Sequence, residues 1–264
     1  MSREQNHITI ADQLGREVAF RFPPRRLVSL CPSLTETLFD LGVGDRIVGR
    51  TTYCIHPAAS VKHVPDVGGV KDFDLDLINS LKPDLVIAAK EENPRELIEE
   101  LAESCPVFVL EVVDYDSALL AMETLGRLTD TLAIAEIIVR ATRTAFAALT
   151  PAETRRAAYL VWREPYICAG ENTFIHAMLG MCGLVNACAG TPERYPRTTV
   201  EALRKLSPDW IMLSSEPYSF TQAHADELTR QIPNARITLV DGEMFAWYGS
   251  RMRAAARYFQ TLVG

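Results

Sequence analysis

The segment TTYCIHP, residues 51–57, brings three kinds of metal-ligating atom into one short loop. Tyr53 offers a phenol oxygen, Cys54 a thiol sulfur and His56 an imidazole nitrogen, and neutral imidazole is a common ligand of transition metals. The spacing matches no zinc motif. We therefore predict no dedicated metal site, and name His56 as the residue that could act as an axial donor to a metal already held in a chelate.

Aromatic residues are concentrated in segments that follow predicted strands. The ring-bearing candidates for ligand contact are Tyr53, Tyr166, Phe245, Trp247 and Tyr248. Flat rings suit a macrocycle or a catecholate, because stacking and burial need area more than a fixed hydrogen-bond pattern. Packing in the core or at its rim is the alternative for each ring.

Basic residues near these rings could bind an anionic chelate. The candidates are Lys71, Lys90, Arg163 and Arg251. Arg251 is the strongest of them, because WYGSR continues the last aromatic segment and the guanidinium fork matches a carboxylate. A solvated surface role is the alternative. The motifs GxSxG, GxxxxGK[ST], GxGxxG and HExxH are absent, so we do not expect an enzyme.

Strands alternating with helices must position these loops. After an entry hairpin (7–11 and 18–20), predicted strands cover 26–30, 46–50, 84–88, 106–111, 156–162, 210–214 and 236–240. Helices between consecutive strands indicate an α/β fold with mainly parallel sheets. In such sheets, ligands bind beyond the carboxyl ends of the strands, where the candidate residues lie.

Two similar halves flank one long predicted helix. Apolar residues recur at helical spacing over 131–149, and Pro151 ends the pattern. LDLINSLKPDLVIAAKE (75–91) before it aligns with VEALRKLSPDWIMLSSE (200–216) after it, which pairs Asp76 with Glu201. We predict an N-terminal α/β lobe (1–128), a bridging helix (129–150) and a C-terminal α/β lobe (151–264).

Composition is that of a globular protein. The net charge of −7 and the lack of a basic block argue against nucleic-acid binding. Six cysteines without a CxxC pair are predicted to be free thiols, with Cys182 and Cys188 able to pair in an oxidising compartment. The first residues lack a secretory leader, so a cytoplasmic protein is expected from this sequence, or a periplasmic or membrane-tethered one if a leader is missing.

Several segments together resemble one family. RLVSLCPSLTETLFDLGVGDRIVG, KPDLVIA, YLVW, GENTFIHAMLGMCGL, SPDWIML and DGEMFAWYGSR are similar to segments of the helical-backbone metal receptors. These are the substrate-binding proteins of iron-siderophore, haem and cobalamin ABC importers, and the cobalamin-binding members are the most similar. The resemblance covers about Arg26 to Phe259.

The resemblance implies a class III periplasmic-binding-protein-like fold whose two lobes clamp a metal chelate. The expected ligand is cobalamin or another corrinoid first, then a ferric siderophore or haem, and no covalently bound cofactor is expected. An ABC permease is the implied partner, with Asp76 and Glu201 at the positions of the acidic docking residues, and a monomer is expected.

Two features depart from that family's pattern. A leader is missing from the sequence, and Val70 and Ala89 are aliphatic where cobalamin binders can carry rings. The alternative is a cytoplasmic corrinoid- or metal-handling enzyme or sensor derived from the same fold. A redox or metal-cluster protein using Cys54 is a third possibility.

Overall fold

The computed structural model describes residues 7–264 and divides them into two compact units. The first comprises residues up to 112, 116–141 and 248–251, and the second comprises 113–115, 142–247 and 252–264. The sequence prediction placed 248–251 in the C-terminal lobe, whereas they fall in the first unit here. Those four residues belong to the first unit because their side chains and backbone contact its first helix, as shown below.

The first unit is built on a four-stranded parallel sheet, with Ile47–Arg50 at one edge, followed by Leu27–Ser29, Leu85–Ala89 and, at the other edge, Val107–Leu110. An antiparallel hairpin precedes it, formed by β1 (His7–Ala11) and β2 (Glu17–Arg21). The sheet strands are β3 (Leu27–Ser29), β4 (Ile47–Arg50), β5 (Leu85–Ala89) and β6 (Val107–Leu110). The helices are α1 (Pro32–Asp40), α2 (Ala58–Val61), α3 (Leu75–Ser80), α4 (Arg95–Ala102) and α5 (Tyr115–Thr129).

Every residue of β5 is buried, as expected for a central parallel strand that is covered on both faces. Ile78 of α3 and Leu101 of α4 pack into one apolar cluster with Val86 of this strand. At the outer edge, Asp12 in the hairpin turn accepts a hydrogen bond from Val109 N of β6 at 3.4 Å. The sheet is therefore closed off on its β6 side by the entry hairpin.

The second unit contains a six-stranded mixed sheet. Its strands are β7 (Arg155–Trp162), β8 (Tyr166–Cys168), β9 (Leu184–Asn186), β10 (Arg197–Thr198), β11 (Trp210–Ser214) and β12 (Arg236–Val240). β7 is parallel to β9 and β11, and β11 is parallel to β12. β8 pairs antiparallel with β7, and β10 pairs antiparallel with β8. The helices are α7 (Phe174–Met181), α8 (Val200–Leu206), α9 (Gln222–Gln231), α10 (Gly242–Ala246) and α11 (Met252–Val263).

The helix predicted over 131–149 is α6, which covers Leu132–Ala147 without interruption and contains the boundary between the units. The α/β class with mainly parallel sheets is confirmed. The sequence did not predict β8, β9 and β10, which are only two or three residues long, and it treated α10 as loop. Within residues 7–264, no helix combines the length and the hydropathy that crossing a bilayer requires.

Candidate functional site

The loop after β4 combines one buried, hydrogen-bonded side chain with two exposed apolar side chains. The Cys54 thiol lies 3.0 Å from Thr35 Oγ1 and 3.1 Å from Thr51 Oγ1, and it is buried. Tyr53 is 61% exposed and Ile55 is 49% exposed. Because the sheet is parallel, this loop lies beyond the carboxyl end of β4. The arrangement presents two apolar side chains on an anchored loop, which is what a flat apolar ligand requires.

A buried polar network lies behind this loop, at the end of β3. Thr35 Oγ1 donates to Ser29 Oγ at 2.7 Å, and Cys31 Sγ lies 3.3 Å from Ser33 Oγ. Burial raises the pKa of Cys31 to about 12 and also raises the pKa of Cys54. Metal binding and nucleophilic attack both need the thiolate. The network therefore acts as polar packing, and Cys54 is a poor sulfur donor.

Asn93 connects three segments at the carboxyl edge of the same sheet. Its side-chain amide donates to Leu30 O at 3.0 Å and to Val70 O at 2.9 Å, and its carbonyl accepts from Ala89 N at 2.9 Å. The segment that carries Val70 is thereby fixed against the ends of β3 and β5. Lys71 is the next residue, so one buried amide positions this candidate basic residue.

A largely buried carboxyl group lies close to Lys71. Burial is the main cause that raises the pKa of Glu92, with a further increase from Glu91 and an opposing decrease from Lys71. Lys71 itself is exposed. The other basic candidate here, Lys90, is paired with Glu111 at 2.5 Å. Lys71 is therefore the better placed of the two for a ligand anion.

His56 is half-buried on the same loop as Tyr53. Within residues 7–264, no group of three or more His, Cys, Asp or Glu side chains is arranged to hold a metal ion. The axial role of His56 toward a chelated metal stays a prediction.

An aromatic surface in the second unit follows the carboxyl end of β7. Trp162 is 41% exposed, and its ring centroid lies 5.6 Å from that of Tyr218, which packs edge-on against Phe220. Arg163 donates to Glu227 at 2.8 Å, so this candidate cation is already paired. Tyr166 is half-buried, and burial raises its pKa. Trp162 is the ring with the largest accessible face in this group.

The structure corrects the assignments of Phe245 and Trp247. Phe245 is fully buried, with ring centroids of Tyr159 and Phe259 at 5.0 and 4.6 Å. Trp247 is buried, and its indole N–H donates to Glu216 Oε1 at 2.9 Å. The sequence interpretation took both for loop rings, whereas Phe245 lies on α10 with its side chain in the core. Neither ring presents a face to a ligand in this conformation.

Tyr248 and Arg251 are corrected as well, because both pack on the first unit. The Tyr248 hydroxyl is buried 3.3 Å from Cys31 Sγ. Arg251 donates to both carboxylate oxygens of Glu36, at 2.7 and 2.9 Å. This bidentate pair occupies the N–H groups of one edge of the guanidinium, which were expected to bind a ligand carboxylate. Both residues therefore act as packing contacts, Tyr248 to Cys31 at the N-cap of α1 (Pro32–Asp40) and Arg251 to Glu36 within it.

The repeat around residues 75–91 and 200–216 has a structural counterpart in each unit. Asp84 Oδ2 accepts from the backbone N–H of Arg26 at 3.0 Å, and Asp84 N donates to Arg26 O at 2.8 Å. Asp209 makes the same two contacts to Arg156, at 2.8 and 2.9 Å. In each unit the aspartate of the Pro-Asp turn thus fixes the start of the neighbouring strand.

The helices of the repeat carry the two predicted docking acids at equivalent positions. Asp74 caps α3 by accepting from Leu77 N, and Thr199 caps α8 by accepting from Ala202 N. Asp76 and Glu201 each lie in the first turn and are exposed. Hydrogen bonds from its own backbone and from Thr199 lower the pKa of Glu201, which keeps this side chain charged.

Sequence reasoning missed three exposed apolar side chains: Ile55, Trp162 and Tyr195. Trp162 ends a run that was interpreted as a wholly buried strand, although the last residue of a strand often lies outside the core. Its position at the carboxyl end of β7 was the signal that could have identified it. Ile55 lies two residues after Tyr53, so both were candidates for the same loop surface.

Comparison with known proteins fits this architecture. A family described as "Periplasmic binding protein" matches residues 27–236. The chain belongs to this family. Among relatives, it is 29% identical over 218 residues to the "Uncharacterized ABC transporter substrate-binding lipoprotein YvrC" of Bacillus subtilis, covering 78% of this chain and 68% of the relative. It is 24% identical over 201 residues to a "Vitamin B12-binding protein" of Pectobacterium carotovorum, covering 74% and 72%.

A solved structure shows the same fold. The apo periplasmic haem-binding protein RhuT of Roseiflexus sp. RS-1 superposes with a TM-score of 0.77 at 21% identity, covering 90% of this chain and 97% of RhuT. The resemblance derived from sequence motifs is thereby confirmed for family and fold.

Proposed function

We propose that this protein is the substrate-binding component of an ABC importer and that it holds a metal chelate with a flat apolar face. Its family and the names of its relatives support this role. A cobalamin-like corrinoid is the first candidate ligand, and haem or a ferric siderophore is the second. In this role the protein would work outside the cytoplasm, which fits a relative named as a substrate-binding lipoprotein.

The observation that carries the ligand proposal is an exposed ring in each unit, Tyr53 in the loop after β4 and Trp162 at the last position of β7. Neighbouring residues hold each ring in place. Cys54 fixes the loop that carries Tyr53, and Tyr218 packs against Trp162. Lys71 adds a positive charge in the first unit for a carboxylate or phosphate of the ligand. Tyr166 and His56 complete the proposed set.

Tyr53→Ala and Trp162→Ala should each weaken chelate binding on the order of tenfold, because each change removes one stacking surface. Isothermal titration calorimetry with aquocobalamin, haem and a ferric hydroxamate siderophore measures the loss and ranks the three ligands. The folded state should be unaffected, since both side chains are largely exposed.

Ile137→Ala is the matched control, because Ile137 is 61% exposed, as Tyr53 is, but belongs to α6 and not to a segment that follows a strand. It should bind like the unaltered protein. Failure of all three chelates to bind at micromolar concentration would contradict the proposed ligand class. Equal affinities of the Tyr53 and Trp162 variants and the control would contradict the site.

We further propose that Asp76 and Glu201 contact arginines of the permease. The double change Asp76→Ala with Glu201→Ala should leave chelate affinity unchanged and reduce uptake at least about tenfold, because the exposed carboxylates are lost from the docking helices. Uptake in cells that depend on the importer, and ATPase stimulation of the reconstituted importer, measure the effect.

Glu96→Ala provides the control, since Glu96 is an exposed acid in the first turn of α4 that lies outside the repeat. Uptake at the normal rate by the Asp76/Glu201 double variant would rule out this docking role. Such a result would leave the chelate site untouched, because affinity is measured separately.

A further inference from the structure

Two short strands of the second unit meet along one edge of β7. β9 pairs with the first part of β7 in parallel, with Asn186 opposite Ala157. β8 pairs with the last part in the antiparallel sense, with Cys168 opposite Leu160. The end of β9 therefore approaches the end of β8 at the middle of β7.

One side chain joins these two ends. The Asn186 amide donates to Ala169 O at 3.0 Å, and its carbonyl oxygen accepts from Cys188 N at 2.9 Å. Ala169 directly follows Cys168 in the chain. The hydrogen bonds of Asn186 thus hold the backbone of Cys188 close to the backbone next to Cys168.

The two thiols are buried side by side in one apolar cluster. Both side chains are buried among residues such as Leu160 and Ile211. Coupling between the two neighbouring thiols lowers the pKa of Cys188 and, together with burial, raises the pKa of Cys168. The sequence allowed a Cys182–Cys188 pair in an oxidising compartment, but the structure places Cys168 beside Cys188.

We propose that Cys168 and Cys188 are a disulfide-forming pair that is oxidised as the chain folds in an oxidising compartment. Both are free thiols in this structure. The bond would tie β8 to the turn after β9 and enclose α7 in a covalent loop.

The reaction needs a disulfide as oxidant, such as glutathione disulfide or an oxidised protein dithiol. The Cys188 thiolate attacks one sulfur of the oxidant, which forms a mixed disulfide and releases one thiol. The thiol of Cys168 then loses its proton and attacks the Cys188 sulfur, which releases the second thiol. The protein loses two protons and two electrons, and the oxidant gains both as two thiols.

Refolding of the reduced, denatured full-length chain in glutathione disulfide tests the proposal. Of the six cysteines, two should become unavailable, which leaves four thiols that alkylate after denaturation. Peptide mapping should show residues 168 and 188 in one cross-linked pair. The thermal midpoint should rise by about 5–10 °C over protein refolded with dithiothreitol, because the closed loop restrains the unfolded chain.

The variants Cys168→Ala and Cys188→Ala should lose both the cross-link and the redox-dependent shift in midpoint, whereas Cys182→Ala should retain them. Peptide mapping of the unaltered chain decides the matter even if a variant fails to fold. Six alkylated thiols after oxidative refolding, or a cross-link from Cys188 to Cys182, would overturn the assignment.

Discussion

Replacement of Gly249 by alanine should lower the free energy of unfolding by about 3 kcal/mol, which corresponds to a fall of about 6–12 °C in the thermal midpoint. Gly249 has φ +86, where a side chain is strained by roughly 1–2 kcal/mol. A methyl group at this position would also fall on Thr37 Oγ1, well inside van der Waals contact. Calorimetry or denaturant unfolding measures the loss.

Thr37 cannot easily give way to that methyl group. Its hydroxyl donates to Ser33 O at 2.8 Å and accepts from Ser250 N at 3.1 Å, and its side chain is buried. Gly42→Ala separates the two costs, because Gly42 has φ +79 but nothing within 4 Å of an added Cβ. It should cost only the backbone strain, about 1–2 kcal/mol.

A double-mutant cycle isolates the clash. Thr37→Ala removes the obstructing hydroxyl, so Gly249→Ala should cost less in that background than in the unaltered chain. Equal costs of Gly249→Ala in the two backgrounds would show that residues 248–251 do not pack on α1 as described.

The packing of residues 248–251 could not be predicted from the sequence. The pattern of WYGSR shows aromatic and basic side chains in an irregular segment, which describes a ligand loop and a buried connection equally well. Only tertiary contacts separate the two, and here Arg251 meets Glu36 and Tyr248 meets Cys31. The local sequence carries no information about a partner more than 200 positions away.

The repeat could be predicted, because both copies carry the same local pattern of a helix followed by a Pro-Asp pair. A proline after a helix stops it, and the following aspartate is free to bind the neighbouring strand. Lys82 and Ser207, which precede Pro83 and Pro208, share φ +48. The match of backbone conformation, cap and carboxylate contact shows that the alignment of the two segments reflects a common local structure.

The parallel sheets could be predicted from buried apolar runs that alternate with helices, whereas the short antiparallel strands could not be predicted. β8 and β10 are three and two residues long, too short for an alternating pattern to be visible. Trp162 was missed for a related reason, since the β7 run is apolar almost to its end. Exposure at a strand's last residue depends on the neighbouring strand, which here shifts register between Leu160 and Trp162.

Asn93→Ala should lower the free energy of unfolding by about 2–4 kcal/mol, because three backbone groups lose their partner together. Ala89 N–H and Leu30 C=O are buried, and leaving such groups unsatisfied costs about 1–3 kcal/mol each, with part regained by water. Denaturant unfolding monitored by circular dichroism measures the change. Asn79→Ala is the control, because Asn79 is exposed and accepts a hydrogen bond from Ser104.

Asn93→Asp tests how the amide acts on the proposed site. The carboxylate keeps the acceptor for Ala89 N but places negative charge against the carbonyl oxygens of Leu30 and Val70 and close to Glu92, so we expect a loss at least as large as that of the alanine variant. In both variants the segment carrying Lys71 loses its attachment, and the affinity for an anionic chelate should fall along with stability. A loss of stability with unchanged affinity would show that Lys71 does not need this attachment, and would leave the rings of Tyr53 and Trp162 as the principal ligand contacts.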